Sequence, residues 1–285
     1  MITVITVINS QDEFHFLASF VDLSDSGEYL LREFRSTSDS IPSFQTFYYA
    51  DAGRRPLPPS PPSVSPEVAR RRELVARLLL APTGVDRAAL LTPEDHVFDF
   101  LNPPEGATTT GLGGRTVRAD RGTFPALVGT GVGMTLGFLG PCGFNTPHTH
   151  PRSSEANVIV QGTLVIQFIA ENGVAPVSNT LSLYQLTVLP KGALHLEFNP
   201  NCDDAVFVAG FGDEDFGVEQ AAQSLFGLDP EVVKATLNLT SIPGSYIEAF
   251  RNALPANVAL SVETCLKKCG IKRKPLFELR PIQKC

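Results

Sequence analysis

The pattern of apolar and polar positions changes along the chain, and in its middle part this pattern is typical of a β-protein. Between residues 97 and 212, short apolar runs alternate with Gly and Pro breaks. Runs of this kind predict strands of about five to seven residues separated by turns, in an antiparallel sandwich or barrel. Hairpin turns are expected at residues 161–162 and 171–173. The predicted strands lie in HVFDFLNP, GGRTVRADR, MTLGFLGP, ANVIVQGTLVIQFIAENG, TLSLYQLTVLPKG, LHLEFNP and DAVFVAGFG.

After residue 212 the apolar positions recur with the 3.6-residue period of helices. Asp229 followed by Pro230 is a typical helix start, because it provides an N-cap and a proline in the first turn. A helical region over residues 213–270 is therefore predicted to follow the strands. Its four segments lie in GVEQAAQSLFGL, PEVVKATLNL, SYIEAFRNAL and VALSVETCLKKCG.

One further helix is predicted before the strands, within an N-terminal helical arm over residues 67–96. Ser65 can cap this helix, and Pro82 together with Gly84 ends it. Its apolar stripe has helical spacing and consists of Val68, Val75, Leu78 and Leu79.

The two ends of the chain differ in composition from the part between them. Residues 56–66 contain six prolines, which predicts a polyproline II linker. Residues 1–66 as a whole are predicted to be disordered and to stand apart from the folded part. Residues 271–285 are rich in Lys and Arg and are predicted to form a solvated basic tail.

Charge and hydropathy exclude two classes of partner. The net charge of −7 argues against nucleic acid, because phosphate binding needs clustered Lys and Arg. No stretch of 18 apolar residues occurs, so no membrane-spanning helix is predicted. The N-terminal sequence MITVITVINSQDEFHFLASF lacks a basic region and a continuous apolar run, so it does not have the pattern of a secretory signal.

The candidate chemistry lies in the strand region, which holds three of the five histidines. His148 and His150 are two apart, so an extended segment places both side chains on one face. Glu155 follows on the same stretch, and His195 lies in a later strand. Three imidazoles and one carboxylate suit a transition metal such as Mn or Fe. On an octahedral ion they leave positions open for water, substrate or dioxygen, which is a catalytic arrangement.

Two sequence blocks around these residues resemble the paired motifs of the cupin family, G(x)5HxH(x)3-4E(x)6G and G(x)5PxG(x)2H(x)3N. The first block matches, except that Gly143 lies one residue closer to the histidines. The second matches at Pro190, Gly192, His195 and Asn199, but Tyr184 replaces its leading Gly. We expect that replacement to matter little, because the position is predicted to start a strand.

Within the cupins, the chain is most similar to the germin-like branch and to the spherulin-like proteins of fungi and slime moulds. The resemblance covers about residues 67–273. It is carried by TFPAL (123–127), GFNTPHTHPRSSE (143–155), PKGALHLEFNP (190–200) and FGDEDFGVEQAAQSLFGL (211–228). It implies a mainly β fold with a single jelly-roll barrel over residues 97–212, a C-terminal helical extension and one N-terminal helix.

The resemblance also implies a cofactor and an assembly. It makes His148, His150, Glu155 and His195 the ligands of Mn(II), with a small anion or a dioxygen species as the partner at the metal. A homo-oligomer is expected, as a dimer, trimer or hexamer, since plant germins assemble as trimers of dimers. Some germins show oxalate oxidase or superoxide dismutase activity.

Two further positions bear on the reaction. The germin oxalate oxidases place two Asn side chains over the open face of the metal. Asn145 matches the first and is expected to orient the ligand, whereas Thr135 stands where the second is expected. A Thr hydroxyl lacks the reach of an amide, so oxalate oxidation is in doubt.

Five cysteines leave at least one outside any complete pairing. Cys142 precedes the first histidine and Cys202 follows His195. If the two strands pair antiparallel with the histidines together, both cysteines lie toward the same end. A Cys142–Cys202 disulfide is therefore one hypothesis, and two buried free thiols are the alternative. Cys265 and Cys269 are four apart on a predicted helix, where a bond between them would distort that helix.

Three functions remain open from the sequence. The first is a Mn-dependent oxidoreductase that acts on superoxide or a small carboxylate. The second is a secreted stress, wall or spore protein whose metal stabilises the barrel. The third is an isomerase or cyclase of secondary metabolism. The resemblance predicts an extracellular protein, whereas the N-terminal sequence leaves a cytoplasmic location as the alternative.

Overall fold

The computed structural model describes residues 64–239, 243–260 and 262–272, together with four strands nearer the N-terminus. The chain divides into two units, Met1–Ser63 and Val64–Cys285. In the first unit, β1 (Ile2–Ser10), β2 (Glu13–Leu23), β3 (Tyr29–Glu33) and β4 (Gln45–Thr46) form an antiparallel sheet in sequence order.

The sequence predicted disorder over residues 1–66, and the four strands occupy part of that range. The rest of residues 1–63, with most of the proline-rich linker, lies outside the described residues. The basic tail predicted over residues 271–285 lies outside them as well from residue 273 onward.

The second unit consists of twelve strands and six α-helices among its described residues. The strands are β5 (Thr108–Gly111), β6 (Gly114–Ala119), β7 (Gly133–Leu139), β8 (Gly143–Thr149), β9 (Glu155–Gln161), β10 (Leu164–Ile169), β11 (Val177–Leu181), β12 (Leu186–Leu189), β13 (Leu194–Phe198), β14 (Ala205–Phe211), β15 (Glu219–Gln220) and β16 (Ala259–Leu260). The helices are α1 (Pro66–Leu80), α2 (Gly84–Ala88), α3 (Ala221–Gly227), α4 (Pro230–Thr236), α5 (Gly244–Ala253) and α6 (Glu263–Lys268).

These strands form two antiparallel sheets that share one core. One sheet has the order β11-β10-β13-β8-β15, with β16 also on β8, and the other has the order β12-β9-β14-β7-β6-β5. Between β7 and β14 the chain passes from one sheet to the other at every connection except β10 to β11. This is the connectivity of the expected jelly roll. Apolar side chains of both sheets meet between them, including Leu139, Ile159, Leu164, Ile166 and Phe207.

One of the two expected hairpins is present. The turn at residues 171–173 joins β10 to β11, which pair antiparallel. The turn at Gln161 and Gly162 was expected to be a hairpin, and that expectation was wrong. It joins β9 to β10, which belong to different sheets. Local turn chemistry cannot distinguish these cases, because the same positive-φ glycine serves a hairpin or a crossing between sheets.

The run HVFDFLNP (96–103), expected to be a strand, begins at the last residue of a short 3₁₀ helix (Pro93–His96) and continues as an irregular loop. The Asp99 carboxylate accepts hydrogen bonds from the Leu101 N–H and the Asn102 amide, each at 2.8 Å. Such local bonds compete with strand pairing, so the apolar residues of this run do not join a sheet.

The helical predictions hold with shorter bounds, except that the N-terminal arm contains two helices instead of one, because Thr83 caps a second short helix, α2, which begins at Gly84. Ser65 caps α1 by accepting the Val68 N–H at 3.2 Å, and Asp229 caps α4 as expected. In α1 the buried face is narrower than predicted, since Leu78 is buried and Leu79 is 54% exposed. The predicted helical segments around residues 219–220 and 259–260 instead begin as strands β15 and β16. Both cover the free edge of β8, which would otherwise leave its backbone groups unpaired.

Among the described residues, none of the helices has the length and apolar character that a bilayer crossing requires.

Candidate metal centre

The four predicted ligands lie at the ends of three strands and converge on one point inside the barrel. His148 on β8 stands directly opposite His195 on β13, because the two strands pair antiparallel with these residues in register. His150 lies one residue past β8, on the same side as His148. Glu155 is the first residue of β9, so the carboxylate comes from the opposite sheet.

The side chains are close enough to share one ion. Their ligand atoms all lie within 4.8 Å of one another, and all four residues are buried. Oε2 of Glu155 lies 3.1 Å from Nε2 of His150 and 3.2 Å from Nε2 of His195. The ring centroids of His148 and His195 are 4.1 Å apart.

Backbone carbonyls fix the orientation of every imidazole. Nδ1 of His148 lies 2.9 Å from the Thr146 carbonyl oxygen, and Nδ1 of His195 lies 2.8 Å from that of Ala193. Nδ1 of His150 lies 2.5 Å from the Gly217 carbonyl oxygen. A carbonyl can only accept, so each Nδ1 carries a proton and each Nε2 is directed at the centre. This is how metal-binding histidines are usually held.

The buried atoms at the centre fit a cation. Oε2 of Glu155 and Nε2 of His195 are buried, and neither has a partner in hydrogen-bonding geometry. Two lone-pair atoms facing each other at this distance repel unless a positive charge lies between them. Three imidazole nitrogens and a carboxylate are a ligand set for Mn, Fe or Zn.

The two buried carboxyls of the centre, Glu155 and Glu197, have pKa values shifted in opposite directions. Burial raises the pKa of the Glu155 carboxyl, but its contacts with His150 and His195 outweigh burial and hold that pKa below its usual range. Burial and the charge of Glu155 raise the pKa of the nearby Glu197 carboxyl. Glu155 is therefore the more acidic of the two carboxyls.

The pKa values of His148 and His195 are also shifted in opposite directions. Burial, followed by the charges of His195 and His150, lowers the pKa of His148 to about 3. Burial also lowers the pKa of His195, but its contact with Glu155 and the charge of Glu197 outweigh burial and raise that pKa to about 9. Without a metal, Nε2 of His195 therefore holds a proton next to Glu155, and a bound metal ion would take the place of that proton.

Sequence reasoning missed a layer of polar side chains behind the ligands. Glu197 is fully buried and accepts a hydrogen bond from the Asn145 amide at 3.0 Å and one from the Asn157 amide at 3.1 Å. Asn157 also donates to Oε1 of Glu155 at 2.9 Å, which leaves Oε2 directed at the histidines. The signal was present in β13, where alternate positions His195, Glu197 and Asn199 are polar and all face inward.

Asn145 and Thr135, the two predicted orienting residues, both line a cavity next to the histidines. The Asn145 amide is held at both ends, since its Nδ2 donates to Glu197 and its Oδ1 accepts from Asn257 at 2.6 Å. Nδ2 of Asn145 lies 3.5 Å from Nε2 of His148. Asn257 belongs to the C-terminal extension, so that extension takes part in positioning the residue beside the centre.

The cavity has a volume of about 260 Å³, which suits a molecule of a few heavy atoms. Its apolar wall includes Phe207, Phe211 and Phe216. Its polar wall includes Gln220, Asn257 and Arg118, an exposed residue whose Nε lies 2.9 Å from the Asp120 carboxylate. None of these lining residues was predicted, because they come from strands and loops far apart in the sequence.

Asn199, the last residue of the second block, has a structural role. Its amide donates to the carbonyls of Leu139, Gly140 and Asp203, and its Oδ1 accepts the Asn201 N–H. It therefore ties together the loops at the ends of β7 and β13.

The two departures from the motifs have separate explanations. Gly143 approaches the backbone of Gly113 so closely that a Cβ would collide with the Gly113 carbonyl, so glycine is needed at this position. Tyr184 lies in a turn before β12 and has φ +63°. The expectation that this position starts a strand with no need for glycine was wrong, because a left-handed conformation disfavours any side chain.

The disulfide hypothesis also needs correction. The bonds are Cys142–Cys265 and Cys202–Cys269, with Cα–Cα distances of 5.6 and 5.3 Å, instead of Cys142–Cys202. The two loops are adjacent as expected, since the Cys142 N–H donates to the Asn201 carbonyl at 3.2 Å. However, the two loops are not bonded to each other. Cys265 on α6 bonds to Cys142 in one loop, and Cys269, just after α6, bonds to Cys202 in the other. The position of a C-terminal helix on a barrel could not be inferred from strand pairing.

Comparison with known proteins agrees with this architecture. Residues 98–242 match the model of the Cupin family. Spherulin-1A of Physarum polycephalum is 45% identical over 205 residues, which cover 72% of this chain and 82% of that protein. Germin-like protein subfamily 2 member 3 of Arabidopsis thaliana is 32% identical over 144 residues, covering 50% of this chain and 65% of that protein.

The structural match to a solved oxalate oxidase covers 57% of this chain and 84% of the oxalate oxidase chain, with 23% sequence identity and a TM-score of 0.48. The family model and the spherulin match together confirm the resemblance found in the sequence motifs. The chain therefore belongs to the cupin family and is similar, within it, to spherulins and germin-like proteins.

Proposed function

We propose that His148, His150, Glu155 and His195 bind Mn(II) and that the protein is a Mn-dependent oxidoreductase acting on superoxide or a small carboxylate. The convergence of three oriented Nε2 lone pairs and one ionised carboxylate oxygen carries this proposal. The carboxylate favours Mn or Fe over softer metals. A bound Mn(II) would supply Lewis acidity and a one-electron redox couple.

The chain's own residues prepare the cavity for a small anion. Asn145 is fixed by Glu197 and Asn257, so its amide is preorganised beside the centre. Phe207, Phe211 and Phe216 exclude water from one wall, which strengthens the attraction of polar groups for a charged molecule. Arg118, paired through Nε with Asp120, adds a guanidinium to the other wall.

The metal is tested by elemental analysis and electron paramagnetic resonance on protein purified without added metal. We expect about one Mn per chain in the wild type and a large loss of Mn in His148→Ala. Purified, folded protein that carries zinc or no metal at all would contradict the oxidoreductase proposal.

The substrate is tested with superoxide and oxalate in separate assays. Arg118→Gln is expected to raise KM several-fold for the anion that is turned over and to leave the Mn content unchanged. Arg115 lies on the opposite face of β6 and stacks on Phe138, so Arg115→Gln is the matched control. Full Mn content without turnover of either anion would favour a structural role for the metal.

We also propose that the protein forms a homo-oligomer. The strand β12 ends one sheet, and its Leu186 and Val188 are 58% and 56% exposed, a pattern that favours association. Light scattering coupled to gel filtration tests this, and Val188→Lys is expected to lower the measured mass. Val174→Lys, in the loop between β10 and β11, is the control.

An extracellular location is proposed as well. The two disulfides support it, because such bonds persist mainly in oxidising compartments. Peptide mass spectrometry of culture medium and cell extract tests the location, and detection in the cell extract alone would contradict it.

A further inference from the structure

A cluster of four sulfur atoms links the C-terminal extension to the barrel. It lies at the start of β8, whereas the histidines lie at the end of that strand. This sulfur cluster consists of Cys142, Cys202, Cys265 and Cys269. Cys142 precedes β8, Cys202 lies between β13 and β14, and Cys265 and Cys269 lie on and just after α6. The cluster contains two disulfides, which are themselves in contact, with Sγ of Cys142 3.7 Å from Sγ of Cys269.

The spacing of three of these sulfurs resembles that of a zinc site. Sγ atoms of Cys142, Cys265 and Cys269 all lie within 4.8 Å of one another. Zinc binds thiolates at about 2.3 Å in a tetrahedron, which puts neighbouring sulfurs roughly 3.8 Å apart. The contact between Cys142 and Cys269 already has that length. Opening the two disulfides would lengthen both bonded pairs toward it, and Cys202, the partner of Cys269, would become free to join as the fourth ligand.

The chain order of the four cysteines also suits a zinc ion. Cys265 and Cys269 are four apart at α6, where they cannot bond to each other without distortion but can serve as neighbouring ligands. The other two come from adjacent loops joined by the Cys142–Asn201 backbone hydrogen bond. Four thiolates would then leave no open position, as in a closed structural site.

The surroundings favour a structural ion. Cys142 and Cys265 are buried, and partly buried apolar side chains pack around them, including Phe198, Leu260, Val262 and Ile271. Lys268 lies next to Cys269 in the sequence, and its Nζ donates to the Pro200 carbonyl at 3.2 Å, so this side chain links the end of α6 to the loop that holds Cys202.

We propose that the same four cysteines, when reduced, bind one zinc ion, so that two disulfides and a zinc ion are alternative fastenings of α6 to the barrel. Reduction of the two disulfides takes four electrons and four protons from a thiol reductant, which is itself oxidised to disulfide. Zinc binding then ionises the four thiols and releases their protons to solvent. Oxidation by a disulfide reverses both steps and expels the ion.

The experiment uses the full chain in a His148→Ala, His195→Ala background, which removes two ligands of the barrel centre. Oxidised and phosphine-reduced protein are titrated with Co(II) under nitrogen. Thiolate-to-cobalt charge-transfer absorption is expected in the reduced protein at one equivalent per chain, and none in the oxidised protein. Added Zn(II) should abolish the absorption, and elemental analysis should then find one zinc per chain.

Variants assign the ligands. Cys269→Ser and Cys202→Ser are each expected to remove most of the charge-transfer absorption, whereas Cys285→Ser should leave it unchanged. Reduced protein that keeps its native circular dichroism, shows five titratable thiols (the four of the sulfur cluster and Cys285) and gives no charge-transfer absorption would overturn the proposal. That measurement needs no cysteine variant, so it decides the matter even if a variant fails to fold.

Discussion

Glu197 connects the side chains that hold the candidate metal centre in place. Both of its carboxylate oxygens accept amide hydrogens, one from Asn145 and one from Asn157. Asn157 in turn orients Glu155. An amide cannot replace this carboxylate, because it offers one acceptor and one donor where two acceptors are needed.

Glu197→Gln is therefore expected to weaken Mn(II) binding by about 10–100-fold, the range found when partners behind metal ligands are changed. A metal-binding isotherm of metal-free protein measures this effect. Glu171→Gln, in the exposed loop between β10 and β11, is the matched control and should bind Mn(II) as the wild type does. An unchanged isotherm for Glu197→Gln would show that the network behind the ligands is not needed.

Tyr184 is a second residue whose role only the backbone shows. It has φ +63° and is 77% exposed, and its N–H donates to the Ile159 carbonyl at 2.8 Å. Tyr184→Gly keeps that hydrogen bond, loses little burial and removes the Cβ that disfavours this conformation. We expect it to raise the free energy of unfolding by about 1 kcal/mol in urea denaturation. Tyr184→Ala retains the Cβ and should bring no such gain.

At the scale of elements, the packing of β7 against β14 depends on one glycine. Gly137 stands opposite Phe207 in register, and the Phe207 ring occupies the space that a Cβ at Gly137 would need. This lets a large aromatic side chain fill the barrel interior next to the cavity.

Gly137→Ala is expected to lower the free energy of unfolding by about 2 kcal/mol, because Phe207 must leave its position in a close-packed core. Thermal or urea denaturation measures the loss. Gly210→Ala on β14 is the control, since a Cβ there meets only the Ala156 carbonyl at 3.9 Å. Equal stability of the two variants would mean that the Phe207 ring adjusts without cost.

At the scale of the whole molecule, a metal at the candidate centre joins the two sheets. His148 and His195 come from one sheet and Glu155 from the other, so unfolding separates the ligands. A ligand that binds only the folded state stabilises it according to its concentration over its dissociation constant.

Removal of Mn(II) with a chelator is therefore expected to lower Tm by on the order of 5–10 °C when the metal had been present at about 100 times its dissociation constant. Differential scanning calorimetry measures the shift. His148→Ala should show a low Tm that the chelator does not change further. A wild type whose Tm ignores the chelator would speak against a metal that bridges the sheets.

The sequence by itself determined the features that depend on neighbours along the chain. Strand alternation and Gly or Pro breaks predicted the barrel, and Ser65 and Asp229 marked helix starts because capping is local. The spacing of His148 and His150 indicated a shared face, and the motif pair brought in Glu155 and His195. These features follow from backbone geometry over a few residues, so no tertiary contact was needed to find them.

Only the tertiary structure decided the features that join distant segments. It showed that the turn at Gln161 and Gly162 connects strands of different sheets. It also showed that Cys142 and Cys202 form separate disulfides with the C-terminal extension, and that Asn257 donates a hydrogen bond to Asn145. Each depends on where the C-terminal extension and the second sheet pack, which is set by burial of apolar surface over the whole unit. Contacts between distant segments do not produce a repeating pattern of apolar positions along the chain. They can therefore be identified only in the folded structure.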